Sequence, residues 1–461
     1  MTTKLIVRGG TIITADGRRE ADVLVEGEQI TAVEARLPDS TDARELDARG
    51  LLVLPGVVDV HTHTRLASAE QPDRFFQDSV AAAFGGTTTF LAFNNPGTGS
   101  PRTGSLVEDV HGWRVATDGD SAVDYALSLV ITPDEPDAVT EVAAVIEAGV
   151  PTFKAFMIYD FGVPDATLDG LLRAACRHGG MLEVHCEDRA ALEANTARLL
   201  AEGRTAPRHH ADSRPPVVEA DGTRRAIAMA EQAGAPLYVV HLSCAAALDE
   251  VRAGRARGVE VFAETCPHYL ALDDSRYELP DEQCACYVIS PPLRPPADRD
   301  ALWTGLTDGS LALVATDHVP DRQAVEKQTW RESFDRISNG GPGIETMLSV
   351  VYSEGVARGR ITVERMVDLL STTPARLFGL GSKGAIDVGR DADIVIFDPG
   401  ERRTLTAREL HHSSDYTPFE GMAVTGGVLS VLVRGELVVR DGHFVGRRGH
   451  GRFQERRLAW R

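Results

Sequence analysis

Four histidines and one aspartate stand out because each ends or closely follows a short apolar run. His61 and His63 are two residues apart, so on a β-strand both imidazoles would point to the same side. His185 and His241 each close an apolar run, and Asp317 closes another. Neutral imidazoles with a carboxylate are ligands that suit zinc and other borderline divalent ions. Any one of these residues alone fits an ordinary core or capping role, but together they predict a metal centre.

A lysine joins this set in an unusual setting. Lys154, one of only four lysines in the chain, lies in the apolar and aromatic run 151–159, which predicts a buried strand. A buried ammonium loses its hydration unless something compensates it. Carbon dioxide can convert a neutral amine to a carbamate, whose two oxygens can bridge two cations. We therefore predict a carbamylated Lys154 (N6-carboxylysine), the alternative being a buried ion pair with Asp160 or Asp317.

The elements between residues 55 and 380 alternate short apolar strands with amphipathic helical stretches. The predicted strands are 56–63, 87–93, 124–132, 152–159, 181–185, 237–242, 259–264 and 311–316. Eight such repeats predict a closed parallel (β/α)8 barrel, in which reactive groups lie at the carboxyl ends of the strands. A doubly wound sheet is the alternative, but no Gly-x-Gly-x-x-Gly follows the first strand.

Both ends of the chain have a different sequence pattern, which predicts short strands separated by glycine-containing turns. Residues 1–54 and 381–445 match in this respect, so we predict one small β-sandwich built from both ends around the barrel at 55–380. Residues 446–461 are basic and polar and are predicted to form a tail.

The overall charge and composition exclude some classes of binding partner and indicate a cellular compartment. A net charge of −20 argues against nucleic acid and against an anionic membrane surface. No apolar stretch is long enough to span a bilayer, and the amino terminus lacks a signal-like pattern. The six cysteines form no disulfide-rich pattern, so we predict a reduced, cytoplasmic location.

Longer motifs strengthen the metal-centre prediction through a resemblance to a known family. The chain resembles the binuclear amidohydrolase superfamily in the order of six residues, namely His61, His63, Lys154, His185, His241 and Asp317. Within it, the chain is similar to the dihydropyrimidinase/hydantoinase group in segments 153–159, 264–270, 290–294, 316–318, 339–345, 411–416 and 431–436. The resemblance extends to about residue 446 and implies a metal-dependent hydrolase of cyclic ureides that yields N-carbamoyl amino acids.

The resemblance also implies a ligand set for two divalent metal ions, with zinc as the expected metal. One ion would be held by His61, His63 and Asp317, and the other by His185 and His241, with carbamylated Lys154 between them. A bridging hydroxide would attack the ring amide carbon, with Asp317 as the proton shuttle.

Three further residues receive roles from the resemblance. Tyr159 would donate its hydroxyl to the developing oxyanion, and Ser290 and Asn339 would hold the imide edge of the ring through backbone groups. The alternative for Tyr159 is an ordinary aromatic residue at a strand end. Ser290 lies in a proline-rich segment and could equally form a turn.

Arg65 departs from the hydantoinase pattern, because arginine at this position is typical of dihydroorotases, where it binds a substrate carboxylate. Asn95 falls near a dihydroorotase carboxylate-binding asparagine as well. We predict that Arg65 lines the substrate pocket and favours acidic substituents, the alternative being a salt bridge at the rim. Segments 66–73 and 160–165 are predicted to border the exocyclic group of the substrate, with Phe161 making part of that border apolar.

The competing functions are allantoinase, dihydroorotase and a non-catalytic homologue that has lost its ligands. All six ligand positions are filled here, which disfavours the last of these. The family resemblance implies a homotetramer or homodimer.

Overall fold

A computed structural model describes residues 4–459, so the first three residues of the amino-terminal segment and the last two of the predicted tail lie outside the described residues. Two bodies of β-structure organise the chain. One is an eight-stranded parallel sheet that curls into a nearly closed barrel, and the other is a nine-stranded, mostly antiparallel sheet. Within residues 4–459, no helix is both long and apolar enough to cross a membrane.

The antiparallel sheet combines both ends of the chain, as predicted, in one continuous sheet. Its amino-terminal strands are β1 (Lys4–Thr14), β2 (Gly17–Glu26), β3 (Gln29–Glu34), β4 (Arg44–Asp47) and β5 (Leu52–Pro55). Its carboxyl-terminal strands are β14 (Ile394–Thr404), β15 (Ala423–Val433), β16 (Glu436–Arg440) and β17 (His443–Phe444). The two ends join where β5 pairs with β14 in antiparallel register.

The first strand, β1, is longer than the short strands predicted for this end of the chain and runs through two glycines. The register with β2 shifts between Val7 and Gly10, and Gly9 has a φ of +64°. This bulge lets a single strand bend and continue, and a residue with a β-carbon would be strained at Gly9.

The barrel strands follow one another in chain order around the sheet. They are β6 (Val57–Thr62), β7 (Thr87–Phe93), β8 (Asp124–Val130), β9 (Thr152–Phe156), β10 (Met181–His185), β11 (Leu237–Val239), β12 (Val261–Thr265) and β13 (Leu313–Val314). Between β13 and β6, the His63 N–H donates to the His318 carbonyl at 2.7 Å, which brings the two edges together. Strands such as β7 and β8 are buried along their whole length, as expected for parallel strands covered on both faces.

Helices pack around the barrel and over its ends. The longer ones are α1 (Arg74–Phe84), α2 (Leu106–Thr117), α3 (Ala138–Glu147), α4 (Asp165–His178), α5 (Arg189–Ala201), α7 (Pro216–Ala233), α8 (Ala245–Ala256) and α11 (Pro296–Asp308). The shorter ones are α6 (His209–Ser213), α9 (Pro267–Ala271), α10 (Asp281–Cys284), α12 (Met347–Val351), α13 (Val363–Val367) and α14 (Thr373–Leu377). Helix α7 begins at Pro216, because proline suits the first helical position.

The last described residues pack against the end of the barrel opposite the site. Arg456 is fully buried, and its guanidinium donates to the Phe378 carbonyl at 3.2 Å, the Thr152 hydroxyl at 2.8 Å and the Leu127 carbonyl. Phe453 pairs with Tyr125 in an isolated bridge. Residues 451–457 are thus part of the packed barrel.

Candidate active site and metal centre

The six predicted metal ligands meet at one end of the barrel. His61 lies on β6, Lys154 on β9 and His185 at the end of β10, while His241 and Asp317 follow β11 and β13. All of them, with His63, are at most 9% exposed. The parallel strands therefore bring together side chains that are far apart in sequence, as expected for the carboxyl-terminal face of a barrel.

Three residues at this mouth have a left-handed backbone that non-glycine residues rarely adopt. The φ angles are 68° at Tyr159, 39° at His241 and 50° at Asp317. Such conformations cost on the order of 1 kcal/mol each, and they persist where the surrounding structure requires them. The turn after each strand directs these side chains into the mouth, and this explains why β9, β11 and β13 end earlier than predicted.

Asp317 lies between the two histidines of the first strand. One of its carboxylate oxygens is 3.1 Å from His61 Nε2 and 3.1 Å from His63 Nε2. Ligand atoms of His61, His241 and Asp317 all lie within 4.8 Å of one another. The rings of His185 and His241 are 4.5 Å apart, measured between centroids. The predicted ligands of both ions therefore form one contiguous cluster.

Burial determines the protonation of most of these histidines. It lowers the pKa of His63, His185 and His241, which keeps their imidazoles neutral with a lone pair available for a metal. His61 differs, because Glu264 and Asp317 outweigh burial and the Lys154 charge and raise its pKa to about 9. The proton on His61 thus occupies a position where the two carboxylates would also favour a bound cation.

Lys154 contrasts with the other buried lysines in having no hydrogen-bond partner among residues 4–459. Its Nζ forms no hydrogen bond within the described chain and lies 4.7 Å from the ring centroid of Phe93. Lys383 pairs with Asp124 at 2.6 Å and with two more aspartates, and Lys327 donates to three carbonyl oxygens. Burial lowers the pKa of Lys154, which favours the neutral amine that reacts with carbon dioxide.

The donor set therefore fits the predicted metal centre. His241 Nδ1 and Lys154 Nζ are buried nitrogens with no hydrogen-bond partner in the part of the chain that the structure describes, and His61 Nε2 lies 3.1 Å from the Asp317 carboxylate. Unpaired buried polar atoms are costly, so their clustering around one carboxylate indicates a site built for cations.

A carboxylate that the sequence did not predict as part of the site lies beside Lys154. Glu183 is its register partner on β10, two residues before His185 and on the same face of the strand. Burial raises the pKa of Glu183 to about 7. The register of β9 and β10 was the missing information, since sequence spacing alone does not pair residues on different strands.

Three further side chains hydrogen-bond to the histidines, a role that the sequence did not predict for any of them; Asn95 was predicted only near a carboxylate-binding position. His61 Nδ1 donates to Glu264, His63 Nδ1 donates to Asn95 Oδ1 at 2.7 Å, and His185 Nε2 donates to Glu187 at 2.6 Å. Such partners select the tautomer and the ring orientation of a metal-binding histidine. Glu264 and Asn95 directly end or follow predicted strands, so the strand-end criterion used for the histidines could have identified them.

A cavity of about 260 Å³ opens onto the cluster. Tyr159, Ser290 and Asn339, the predicted substrate-binding residues, line it, and the Asn339 side-chain amide donates to the Tyr159 hydroxyl at 3.4 Å. Phe161 also lines it and stacks on Tyr159 with ring centroids 5.3 Å apart. The cavity wall thus contains both polar groups and aromatic rings.

Arg65 also lines the cavity, but its guanidinium is already paired. It contacts Asp321, which is fully buried, and lies 3.3 Å from Glu326. Asn95, its predicted companion, is hydrogen-bonded to His63. Arg65 therefore lies in the cavity wall and also forms a salt bridge, the two arrangements that the sequence analysis gave as alternatives.

The comparisons with known proteins agree with this geometry. Residues 52–438 match the model of the Amidohydrolase family. The chain is 42% identical over 460 residues to a D-hydantoinase of Geobacillus stearothermophilus, covering 98% of this chain and 96% of that one. It is 39% identical over 458 residues to a D-hydantoinase of Ralstonia pickettii, covering 98% and 99%. A crystal structure of dihydropyrimidinase from Brevibacillus agri NCHU1002 superposes with a TM-score of 0.94 at 41% identity, covering 100% of both chains.

Proposed function

Because this chain belongs to the amidohydrolase family, we propose that it hydrolyses the cyclic amide bond of hydantoins and dihydropyrimidines to give N-carbamoyl amino acids. The observation that carries this proposal is the unpartnered Lys154 amine within a cluster of four histidines and Asp317 below the cavity. Full-length similarity to proteins named D-hydantoinase and dihydropyrimidinase supports the substrate class. Those names also favour the D-enantiomers of 5-substituted hydantoins as substrates.

The metal centre in this proposal holds two divalent cations. His61, His63 and Asp317 would hold one, and His185 and His241 the other, with a carbamate on Lys154 shared between them. Forming the carbamate joins Nζ to the carbon of carbon dioxide and releases one proton from the amine. Zinc is the proposed metal because its ligand preferences include imidazole and carboxylate. When bound, the cations would lower the pKa of water enough to supply a nucleophile near neutral pH.

Asp317 is the proposed proton shuttle. Its carboxylate is buried at the cavity floor, and His61 and His63 keep its pKa well below the ordinary value despite burial. It is therefore ionised and able to accept a proton from the attacking water. Passing that proton to the ring nitrogen lets the amide C–N bond break and leaves Asp317 ready for the next cycle.

Tyr159 is the proposed donor to the oxyanion that forms at the attacked carbonyl. Burial raises its pKa, so the phenol keeps its proton at neutral pH and can donate it in a hydrogen bond. Ser290 and Asn339 lie on the same cavity wall and are proposed to bind the imide edge of the ring. Phe161 would face an apolar substituent on the ring.

A dihydroorotase-like activity is the second candidate, and the position of Arg65 in the cavity wall favours it. Two carboxylates already neutralise that guanidinium, so a substrate carboxylate would have to compete with Asp321 and Glu326. We therefore rank carboxylated ureides below neutral ones.

A substrate panel tests these proposals directly. Ring opening is followed for hydantoin, D- and L-5-substituted hydantoins, dihydrouracil, allantoin and dihydroorotate, with the metal-loaded enzyme. Turnover of hydantoins and dihydrouracil is expected, and turnover of dihydroorotate or allantoin alone would contradict the proposal.

The variant Arg65→Ala tests whether Arg65 binds a substrate carboxylate, because equal losses of activity on neutral and carboxylated hydantoins would rule that role out.

Two wider features belong to the proposal as well. We propose a homotetramer or homodimer, which light scattering of the purified protein would test.

A reduced cytoplasm is the proposed compartment. Five buried thiols that form no disulfide in the described chain support it: Cys186, Cys244, Cys266, Cys284 and Cys286.

A further inference from the structure

Lys327 holds the backbone that flanks two of the proposed substrate-binding residues. Its Nζ is fully buried and donates to the carbonyl oxygens of Ser338 at 2.5 Å, Gly340 at 2.6 Å and Val288 at 3.1 Å. Ser338 and Gly340 stand on either side of Asn339. Val288 is two residues before Ser290. One ammonium thus ties together two segments that lie far apart in sequence and meet at the cavity wall.

The direction of the Asn339 amide follows from this contact. In a trans peptide the carbonyl of one residue and the N–H of the next point in opposite directions. Because the Ser338 carbonyl points at the Lys327 ammonium, the Asn339 N–H points away from it. That N–H has no hydrogen-bond partner within residues 4–459, and Asn339 lines the cavity. The lysine thereby leaves this donor available to a ligand.

Neighbouring groups restrict the same peptide further. The Tyr416 hydroxyl also donates to the Gly340 carbonyl at 3.1 Å, so that oxygen accepts from two side chains. Gly340 has a φ of +136°, and a β-carbon there would come within 2.4 Å of Val319. Only glycine fits this turn, which keeps the Asn339 peptide close to the cavity.

A buried carboxylate, that of Asp321, connects Lys327 to Arg65, which also lines the cavity. Asp321 is 3.5 Å from Lys327 Nζ through one oxygen and contacts Arg65 through the other. Glu326, the residue before Lys327, pairs with Arg65 at 3.3 Å. Arg65 and Lys327 therefore share one buried carboxylate, and this explains how Arg65 can line the cavity without a free charge.

We infer that Lys327 is a positioning residue for substrate binding, which fixes the Asn339 and Ser290 segments so that backbone groups bind the ring's imide edge. This role rests on the proposed cyclic-ureide hydrolysis. It requires no contact between Lys327 and the substrate, and it leaves the metal ligands to other elements.

The test compares Lys327→Met with Lys383→Met in metal-loaded protein, using hydantoin and dihydrouracil as substrates. Both variants remove a buried, fully paired ammonium, but Lys383 pairs with Asp124, Asp391 and Asp393 away from the cavity. Both should lose thermal stability. Only Lys327→Met should raise KM, by about tenfold for the loss of aligned hydrogen bonds, while its metal content stays that of the wild type.

A milder variant keeps the test decisive if Lys327→Met does not fold. Tyr416→Phe removes one of the two donors to the Gly340 carbonyl and should raise KM by about threefold. An unchanged KM in Lys327→Met, or in Tyr416→Phe when the first variant does not fold, would overturn the inference. Absence of turnover by the wild type on the whole panel would instead reject the proposed function.

Discussion

Lys154 differs from the other buried lysines in what surrounds its amine. Lys327 and Lys383 lie among oxygens that compensate an ammonium, whereas Lys154 lies against Phe93 and Phe156 with no hydrogen-bond partner in the described chain. A residue chosen only for its positive charge would be expected to have partners like theirs. The site instead suits a lysine whose amine is modified.

Replacing Lys154 should therefore abolish metal binding as well as catalysis. In Lys154→Ala, bound divalent metal and hydantoin turnover are both expected to fall to background, because the variant lacks the ligand proposed to be shared by two ions. Elemental analysis and a ring-opening assay measure these quantities, and added bicarbonate should restore neither. Lys4→Ala, at an exposed lysine, serves as the control and should retain both. Full metal content in Lys154→Ala would contradict the carbamate.

A second prediction at the residue scale concerns His412. Burial lowers its pKa to about 4 and outweighs the opposite effects of the Asp78 carboxylate and the Ser414 backbone. The unfolded chain binds a proton near pH 6.5, so a folded pKa below that value makes stability fall as the pH decreases from about 6.5 to 4. The expected slope is about 1.4 kcal/mol per pH unit for this one group.

The variant His412→Asn isolates that contribution. Urea unfolding at about pH 7.5 and about pH 5.5 should show that the variant loses less stability than the wild type over this interval, by about 1 kcal/mol. His210 and His268 also have lowered pKa values, of about 3 and about 4, and remain in both proteins as an internal reference. Equal acid losses in the two proteins would disprove the assignment to His412.

At the scale of elements, the carboxyl-terminal segment stabilises the barrel through one side chain. Arg456→Met would leave the Leu127 and Phe378 carbonyls without this buried donor, which costs on the order of 3 kcal/mol. A clear drop in the thermal midpoint is the expected result. Arg440→Met is the matched control, because Arg440 is exposed and its ion pair with Asp441 contributes little. A midpoint unchanged in both variants would show that the segment is dispensable.

The sequence was sufficient to predict the barrel, because its strands carry long apolar runs in a regular order. All eight were predicted, and β7 and β10 have the predicted bounds. The turns after β11 and β13 were not predicted, since a left-handed residue such as His241 or Asp317 leaves no sequence signal when it is not glycine.

The candidate site was predicted in part, for reasons that follow from chemistry. Histidines at strand ends are rare enough to be noticed, and Tyr159, Ser290 and Asn339 were identified from longer motifs. Glu187 and Lys327 were missed because a charged residue in a loop or short helix usually faces solvent. Only the fold reveals that Lys327 is buried among carbonyl groups.

At the scale of the whole molecule, the net charge of −20 affects which substrates approach easily. An anionic substrate is repelled at low ionic strength, and salt screens this repulsion over about 10 Å at 0.1 M. For a carboxylated hydantoin, kcat/KM should rise severalfold as salt increases from about 10 to about 200 mM. For unsubstituted hydantoin it should stay constant. A fall with salt for the carboxylated substrate would indicate an accessible Arg65 charge.

The burial of Arg456 also constrains the order in which the barrel can pack. The carbonyl of Leu127 on β8 and the hydroxyl of Thr152 on β9 receive their donor from a residue 329 and 304 positions later in the chain. Contacts between residues so far apart form slowly, because the entropy of closing a long loop is lost before the contact stabilises the chain. This end of the barrel therefore reaches its native packing only after the segment that carries Arg456 has docked.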